Sequence, residues 1–221
     1  MEAIDSIRPV QRAAVTDRRV SIWYEPAKRA IDVLLASIVL TCVLPVLILA
    51  SIAILLDSPG RVLYRRGVVG KGGRPFAAWK LRTMIENGDA HVTENSRLAE
   101  EYNNNHKLRE DPRVTGVGKL LRKSSIDELP QLFNVLRGEM SLVGPRMISF
   151  PELEKFGEWQ EKILEVKPGI TGLWQVRGRG DLDYDERVRL NVYYVDNRSV
   201  LLDLRILAKT IPAVFTGKGA F

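Results

Sequence analysis

The feature that most restricts how this chain can fold is a long apolar run, because residues 33–56 carry no charged side chain. As a helix rising about 1.5 Å per residue, this run is long enough to cross a hydrocarbon core about 30 Å thick. It is too long for the apolar region of a signal peptide and no clear cleavage site follows it, so we expect it to be retained. A buried core helix of a soluble protein is the alternative, but such helices are usually shorter. The run therefore predicts a membrane-inserted helix.

A proline near the middle of the run changes the expected topology. Pro45 has no backbone N–H, so we expect it to kink or break the helix into halves of about twelve residues, about 18 Å each. Each half can enter the membrane and return without crossing it. Both flanks are basic, with Lys28 and Arg29 before the run and, after it, Arg61, Arg65, Arg66, Lys71 and Arg74. Because basic flanks stay in the cytoplasm, we favour a re-entrant helix bent at Pro45, although the residues alone leave a spanning helix open.

Composition divides the chain into three parts. Residues 1–25 are a polar arm, residues 26–57 hold the membrane helix, and residues 58–221 form a domain that carries the candidate catalytic residues and is expected at the cytoplasmic face. In this domain, the segments Val62–Val69 and Phe76–Leu81 flank a glycine-rich loop and predict a β-hairpin. The loop lacks the spacing and the Lys-Ser/Thr ending of a phosphate-binding P-loop.

Hydrophobic periodicity predicts an α+β fold that is mostly helical around this small β-hairpin. Helices are expected over residues 97–102, 117–123, 129–136, 152–165, 184–196 and 201–215, with short strands from residue 140 and over 173–176. The helix over 117–123 places Leu120 and Leu121 among basic residues, which is typical of an interfacial amphipathic helix on an anionic membrane. A solvated charged face explains the same pattern.

The charge balance indicates an anionic partner. The formal net charge is +6 and the sequence pI is about 9.5, which suits nucleic acid, a membrane surface or phosphorylated substrates. Nucleic acid is disfavoured because of the long apolar run and because no recognition-helix or RNA-module signature is present. Cys42 is the only cysteine, so no disulfide framework or thiolate metal site is possible within the chain. His91 and His106 are the only histidines, so a His-rich zinc site and a Ser–His catalytic network are poorly supported.

Two adjacent carboxylates stand out among the polar residues. Asp127 and Glu128 precede an apolar helical pattern, and Pro130 favours a helix that begins near Leu129 or Pro130. The electropositive end of that helix favours ionised carboxylates. An ionised Asp can act as a nucleophile toward phosphorus, and a neighbouring Glu can hold a hard cation. The alternative is local, because Ser125-x-x-Glu128 also matches a helix capping box.

Basic side chains are placed at two further positions where they can meet phosphate. Strand alternation puts Lys80 and Arg82 on one face, where they can clamp a phosphate or form an exposed strand face. Arg146 follows Gly144-Pro145, a turn that can present its guanidinium from a fixed backbone.

Five motifs in order identify a family. The chain resembles the bacterial sugar transferase family, the monotopic polyprenyl-phosphate phosphoglycosyl transferases, over about residues 25–210. The motifs that carry the resemblance are Lys80–Met84, Asp111–Thr115, Leu121–Gln131, Met140–Arg146 and Lys167–Val176.

The resemblance implies a reaction and roles for individual residues. The family transfers a sugar 1-phosphate from a UDP-sugar to polyprenyl phosphate, usually undecaprenyl phosphate, releases UMP and so begins the lipid-linked assembly of bacterial surface glycans. The resemblance makes Asp127 the nucleophile that forms a phosphosugar–aspartyl intermediate, Glu128 a ligand of Mg²⁺, and Pro45 the bend of a re-entrant helix. It also implies phosphate-contacting roles for five basic residues, which are Lys80, Arg82, Arg113, Arg122 and Arg146.

The resemblance further implies a monotopic enzyme at the cytoplasmic face of the bacterial inner membrane. Three positions depart from the family pattern: Leu44 replaces a serine, Met147 replaces a proline after Arg146, and Asn191 replaces an aspartate. The sugar and the glycan pathway are not specified by these residues, and the oligomeric state stays open, a homodimer included. The competing function is a non-catalytic membrane-surface scaffold that binds anionic lipid.

Overall fold

A computed structural model describes residues 21–86, 88, 111–178 and 182–216, with side chains described as far as residue 213. The predicted helix over 97–102, both histidines and most of the polar arm lie outside these residues. The described part is mostly helical with a small antiparallel hairpin, which confirms the predicted fold class at that level.

The first helix, α1, spans Tyr24–Asp57 and continues through Pro45, so the predicted break at this proline is not confirmed. Within the described residues, α1 is the helix that is long and apolar enough to cross a membrane, and only 17% of its most apolar window is buried. Leu34 and Leu49, for example, are more than half exposed. This exposure argues against a core helix of a soluble protein and indicates a membrane segment.

The predicted hairpin is present as β1 (Leu63–Val69) and β2 (Pro75–Leu81), which pair antiparallel. Gly72 and Gly73 in the connection have positive φ angles of 68° and 75°, which glycine adopts without a Cβ clash. Asn134, fully buried, holds the second strand: it accepts the Trp79 N–H at 3.0 Å and donates to the Ala77 carbonyl at 2.8 Å. The hairpin is therefore fixed against the helix that carries Asn134.

Short helices and a second, parallel strand pair complete the domain. Strands β3 (Ser141–Val143) and β4 (Gly169–Thr171) lie side by side. Among the described residues, the helices after β2 are α2 (Gly116–Lys123), α3 (Gln131–Arg137), α4 (Phe150–Glu154), α5 (Gln160–Leu164), α6 (Leu173–Arg177), α7 (Tyr184–Asn197) and α8 (Val200–Thr216). Helices α2, α3, α7 and α8 confirm the predicted segments to within two residues.

Two predicted elements are wrong. The helix expected over 152–165 is divided into α4 and α5, because Gly157 takes a φ of 52° in an intervening 3₁₀ turn, Gly157–Trp159. The strand expected over 173–176 is helix α6, and the strand lies just before it in β4. A short apolar run such as Leu-Trp-Gln-Val does not distinguish a buried strand from a buried helix by periodicity alone.

Two hydrophobic clusters attach α1 to the domain. The larger one surrounds β3 and α7 and includes Met140 and Tyr194, both almost fully buried. The smaller one packs Leu47 and Ile54 of α1 against Leu81 of β2, with Leu121 of α2 also buried there. The second cluster places the end of α1 directly beside the hairpin.

A buried polar network holds the beginning of α1. Asp203 of α8 accepts hydrogen bonds from Tyr24 (3.0 Å), Tyr194 (2.7 Å) and Lys28 (2.9 Å). Arg29 donates to the carbonyls of Val135 and Leu136 at the end of α3, at 2.6 and 2.8 Å. Both ends of α1 are thus bonded to one folded domain.

Candidate active site

The two adjacent carboxylates lie on a tight turn between α2 and α3. Asp127 and Glu128 belong to the 3₁₀ turn Ile126–Glu128, which follows Ser125 in a left-handed conformation (φ 56°). Ser125 makes no side-chain cap bond, and the Glu128 carboxylate instead accepts from the Lys80 ammonium at 2.6 Å. The capping-box interpretation is therefore wrong, and the carboxylates are available for other roles.

Asp127 is a buried carboxyl group with 7% of its surface exposed. Burial raises its pKa to about 6, the nearby Glu128 charge adds to the rise, and Lys80 and Arg122 oppose it. At neutral pH the group is mostly ionised, but in a poorly solvated place. An ionised carboxylate with few water contacts is a better nucleophile than one that is fully hydrated.

The pKa of Glu128 is shifted in the opposite direction from that of Asp127, although the two residues are adjacent in sequence. Burial alone would raise its pKa, but the Lys80 and Arg146 charges outweigh burial and hold the pKa below its usual range. Adjacent acids whose pKa values are moved apart by their surroundings are a recognised sign of divided roles in an active site.

Three of the predicted phosphate contacts border this pair. Lys80 reaches it from β2, as described. Arg122 of α2 acts on the Asp127 charge, and its Nε donates to the Thr83 hydroxyl at 2.9 Å. Helix α2 can approach Thr83 this closely because Gly118 has no side chain: a Cβ there would lie 2.1 Å from the Thr83 carbonyl oxygen.

Arg146 is the third cation at the carboxylates. It is exposed, and its guanidinium lies 5.8 Å from the centre of the Trp174 ring. The proline expected after it is Met147, which is buried in the core, and the Arg146 backbone bridges to Gly169. Core packing and this bridge therefore hold the turn that presents Arg146, even without the proline.

The other two predicted contacts have their guanidinium groups committed to protein atoms. Arg82 donates to the carbonyls of Ser58 and Pro59 at 2.6 and 2.5 Å, which places it at the C-terminal end of α1. Arg113 forms a two-pronged ion pair with Asp111, with N–O distances of 2.8 and 2.7 Å. Both residues line the same cleft as the carboxylates.

The carboxylates open into a cleft of about 1990 Å³ whose walls differ in chemistry. One wall is polar and carries the acids and cations. The other is apolar and is formed by α1 and α8 through Leu35, Val39, Val43, Val46, Leu207 and Ile211. A single cavity can therefore contact a charged, water-soluble molecule and an apolar one.

Sequence reasoning missed several residues of the cleft. Arg66 helps to lower the Glu128 pKa and forms a 2.8 Å ion pair with Glu152. Tyr64, Trp79 and Trp174 are the aromatic residues in the cleft lining. The hairpin register was a usable signal for β1, because Tyr64 pairs with Lys80 and directly opposed residues share a face. Trp174 lies inside the family motif Lys167–Val176, but no role was predicted for it, because its segment was expected to be a strand.

The donor atoms present suit one kind of metal ion. Within the described ranges, no group of three or more His, Cys, Asp or Glu side chains is gathered in one place. The two adjacent carboxylates supply hard oxygen atoms, and Mg²⁺ is commonly bound by one or two carboxylates together with substrate phosphates. The donor atoms of the site are therefore of the kind that Mg²⁺ binds together with substrate phosphates.

The fold and the site together define a class: a membrane-associated enzyme with an acid pair in a basic cleft. The sequence model of the family described as "Bacterial sugar transferase" matches residues 23–217. The chain therefore belongs to the bacterial sugar transferase family, and it is a phosphoglycosyl transferase.

Similar proteins are found among bacterial enzymes of sugar transfer. The chain is 44% identical over 199 residues to the exopolysaccharide production protein ExoY of Sinorhizobium fredii, covering 88% of each protein. It is 42% identical to the undecaprenyl-phosphate galactose phosphotransferase of Salmonella typhimurium and 39% identical to the UDP-glucose:undecaprenyl-phosphate glucose-1-phosphate transferase of Escherichia coli. In both cases 88% of this chain matches 41% of the longer relative. Membership of an enzyme family excludes a purely scaffolding interpretation.

Proposed function

We propose that the chain transfers a sugar 1-phosphate from a UDP-sugar to polyprenyl phosphate, such as undecaprenyl phosphate, with release of UMP. Two relatives are named for sugar phosphate transfer to undecaprenyl phosphate, and one of them for the use of UDP-glucose. The observation that carries the proposal is the position of buried Asp127, beside the Lys80–Glu128 ion pair, in a cleft with an apolar wall. Such a reaction would begin lipid-linked surface glycan synthesis.

The proposed chemistry has two displacements at one phosphorus. An Asp127 carboxylate oxygen forms a bond to the sugar-bearing phosphorus, and the bond from that phosphorus to the oxygen bridging to UMP breaks. UMP leaves with the electron pair of that bond, and a phosphosugar–aspartyl intermediate remains. A phosphate oxygen of polyprenyl phosphate then attacks the same phosphorus, which releases the Asp127 carboxylate and gives a polyprenyl diphosphate sugar.

The basic residues act on the charge of the phosphoryl oxygens. Phosphoryl transfer depends on in-line positioning and on neutralisation of that charge. Lys80, Arg122 and Arg146 surround the acid pair and are the side chains best placed for this role. Glu128 would hold Mg²⁺, which when bound supplies further positive charge to the phosphates.

The attachment of α1 supports a monotopic arrangement at the cytoplasmic face of the bacterial inner membrane. Lys28 and Arg29 at its beginning bond to α8 and α3, and the carbonyl of Ser58, directly after its last residue, accepts from Arg82, which directly follows β2. Both helix ends contact the same domain, so both belong on one side of the bilayer, with the apolar middle dipping into the lipid. A re-entrant helix with its bend near Pro45 meets this requirement.

The test is a turnover assay with purified protein, Mg²⁺, undecaprenyl phosphate and a panel of UDP-sugars, in which UMP is measured. We expect UMP from at least one sugar and none from Asp127→Asn, with membrane association of the variant unchanged. Intact-protein mass after incubation with the UDP-sugar alone tests the covalent step. Failure of every UDP-sugar to give UMP contradicts the proposed function, whereas turnover without an adduct under trapping conditions contradicts only the aspartyl intermediate.

A further inference from the structure

Three aromatic residues line the cleft, and the rings of two of them are already covered by arginine side chains. Trp79 has the Arg65 guanidinium 4.2 Å from its ring centre and that of Arg137 at 5.6 Å. Trp174 is covered in the same way by Arg146 at 5.8 Å and Arg187 at 5.2 Å.

The third ring, Tyr64, is 55% exposed, and in the part of the chain that the structure describes it has no hydrogen bond, cation or ring contact. An aromatic surface with this much exposure in a cleft is suited to contact with a ligand.

The hairpin register directs this ring to the carboxylates. Tyr64 of β1 stands directly opposite Lys80 of β2. Opposed residues of an antiparallel pair project from the same face of the sheet, with Cβ atoms roughly 5 Å apart. Lys80 projects toward Glu128, whose carboxylate it meets at 2.6 Å. Tyr64 therefore lies on the hairpin face that is directed toward Asp127 and Glu128. It is directly across the strand pair from Lys80, which contacts Glu128.

We propose that Tyr64 is the stacking platform for the nucleobase of the nucleotide-sugar donor. The inference rests on the proposed function and adds the place where the base is bound. A nucleobase has a π face that stacks on an exposed aromatic ring, and every base can make this contact because every base has such a face. With the diphosphate among Lys80, Arg122 and Arg146, the ribose leads the base away from the acids to the adjacent side chain on β1, which is Tyr64.

The alternative role for an exposed tyrosine ring is contact with the membrane surface. Tyrosine is enriched where a protein meets the headgroup region of a bilayer. We favour the nucleobase because Tyr64 shares its face with Lys80 and its cleft with the acid pair, whereas the apolar wall of that cleft is supplied by α1 and α8. Membrane contact is therefore an outcome that the test must be able to detect.

The experiment compares the wild-type enzyme with Tyr64→Ala, Tyr64→Phe and Phe150→Ala. Phe150 is a matched control because it is half exposed and lies outside the cleft lining. For each protein, KM is measured for the UDP-sugar and for polyprenyl phosphate, and inhibition is measured with UMP and with ribose 5-phosphate, which lacks the base.

Loss of stacking in Tyr64→Ala should raise the KM for the UDP-sugar and the inhibition constant of UMP roughly tenfold. The inhibition constant of ribose 5-phosphate and the KM for polyprenyl phosphate should stay unchanged. Tyr64→Phe, which keeps the ring, and Phe150→Ala should both behave as wild type.

An active Tyr64→Ala enzyme with wild-type UMP inhibition overturns the inference. So does a variant whose defects are a raised KM for polyprenyl phosphate and weaker binding to lipid vesicles, because those assign the ring to the membrane. Should Tyr64→Ala fail to fold, Tyr64→Leu, which fills a similar space without a π face, carries the same comparison. Absence of UMP release by the wild-type enzyme is a different result, which contradicts the proposed function itself.

Discussion

At the scale of single residues, the site depends on two neighbouring acids that the fold treats differently. Asp127 is buried, and its pKa is raised to about 6, whereas Lys80 and Arg146 keep the pKa of Glu128 low. One acid is thereby set up as a poorly solvated nucleophile and the other as a carboxylate whose ionised form is favoured by neighbouring cations and that can bind a metal cation. The two roles follow from what lies around each carboxylate, because the residues are adjacent in sequence.

Replacing Asp127 by Asn should stabilise the fold while it abolishes turnover. A carboxyl pKa raised in the folded state means that the ionised form, which dominates above about pH 6, is the form that costs stability. The shift corresponds to roughly 3 kcal/mol at most, so the Tm of Asp127→Asn should exceed that of wild type at pH 8. The excess should shrink as the pH falls from 6 toward 4. Thermal unfolding in detergent without divalent cations measures it, with Glu158→Gln as an exposed control, and an equal or lower Tm contradicts the prediction.

Formation of the phosphosugar–aspartyl intermediate should slow at acidic pH. Protonation of Asp127 removes the nucleophile, so adduct formation from the UDP-sugar should decline as the pH falls through about 6. Single-turnover measurement without polyprenyl phosphate is the suitable assay, because the acceptor is a phosphate monoester that titrates in the same range. A rate that is level down to pH 4.5 would show that Asp127 is not the group that must be ionised.

Magnesium should be detectable through stability as well as activity. If Glu128 holds the ion, Mg²⁺ should raise the Tm of the wild-type protein by mass action and should have little effect on Glu128→Gln. Glu139→Gln serves as the control, since Glu139 accepts from Asn134 at 2.6 Å and is not part of the cleft lining. An equal magnesium response in Glu128→Gln would place the ion elsewhere.

At the scale of structural elements, arginine side chains bind the carbonyl groups at the C-terminal ends of two helices. Arg82, directly after β2, donates to the Ser58 and Pro59 carbonyls that follow α1, and Arg29 from α1 donates to the carbonyls at the end of α3. The last carbonyls of a helix have no partner within it and attract cations, so each arginine joins two elements while it satisfies these groups. The strand that carries Lys80 is in this way bonded to the membrane helix.

Arg82→Ala should therefore act on stability more than on donor binding. Loss of its hydrogen bonds should lower the free energy of unfolding by about 1–3 kcal/mol and leave the KM for the UDP-sugar nearly unchanged. Arg122→Ala is the contrasting variant, for which we expect a raised KM. Denaturation and initial-rate measurements on both proteins separate the two roles. An Arg82→Ala protein of wild-type stability with a raised KM would show that Arg82 binds phosphate.

At the scale of the whole molecule, the membrane helix and the domain are built as one unit. Contacts of α1 with the domain are distributed from Tyr24 to Ile54 instead of being confined to one end. A cleft with one apolar and one charged wall results from this side-by-side packing, because α1 supplies part of the apolar wall. The arrangement brings a lipid phosphate and a water-soluble donor to the same acid pair.

Cysteine labelling should find both ends of α1 on the cytoplasmic side. Cys42 is exposed and would first be replaced by Ser, after which Ile22→Cys and Arg61→Cys report on the two ends, since both positions are exposed. A membrane-impermeant maleimide should label both variants in inverted vesicles and neither in right-side-out vesicles. Labelling of the two positions from opposite sides would show that α1 spans the bilayer.

Local patterns were sufficient for much of this molecule. The apolar length of α1, the hairpin with its glycine loop and the helices α2, α3, α7 and α8 could be predicted, because periodicity and turn residues act over a few neighbouring positions. Asp127 and Glu128 could also be predicted as candidate site residues, because the two acids are adjacent in the sequence. The separation of α4 from α5 at Gly157 could not be predicted, because a single glycine is also tolerated inside a helix.

The tertiary structure alone decided which distant groups meet. Lys80 and Glu128 are 48 positions apart and touch at 2.6 Å, while Arg82, only two residues after Lys80, reaches back to the end of α1. Asp127 has a raised pKa because packing excludes water from it, and Trp174 lies in a helix although its apolar segment suited a strand equally well. The pattern of apolar and polar residues along the chain indicates local conformation. Burial, ion pairs and the residues that share a cleft are decided only when segments far apart in sequence pack together.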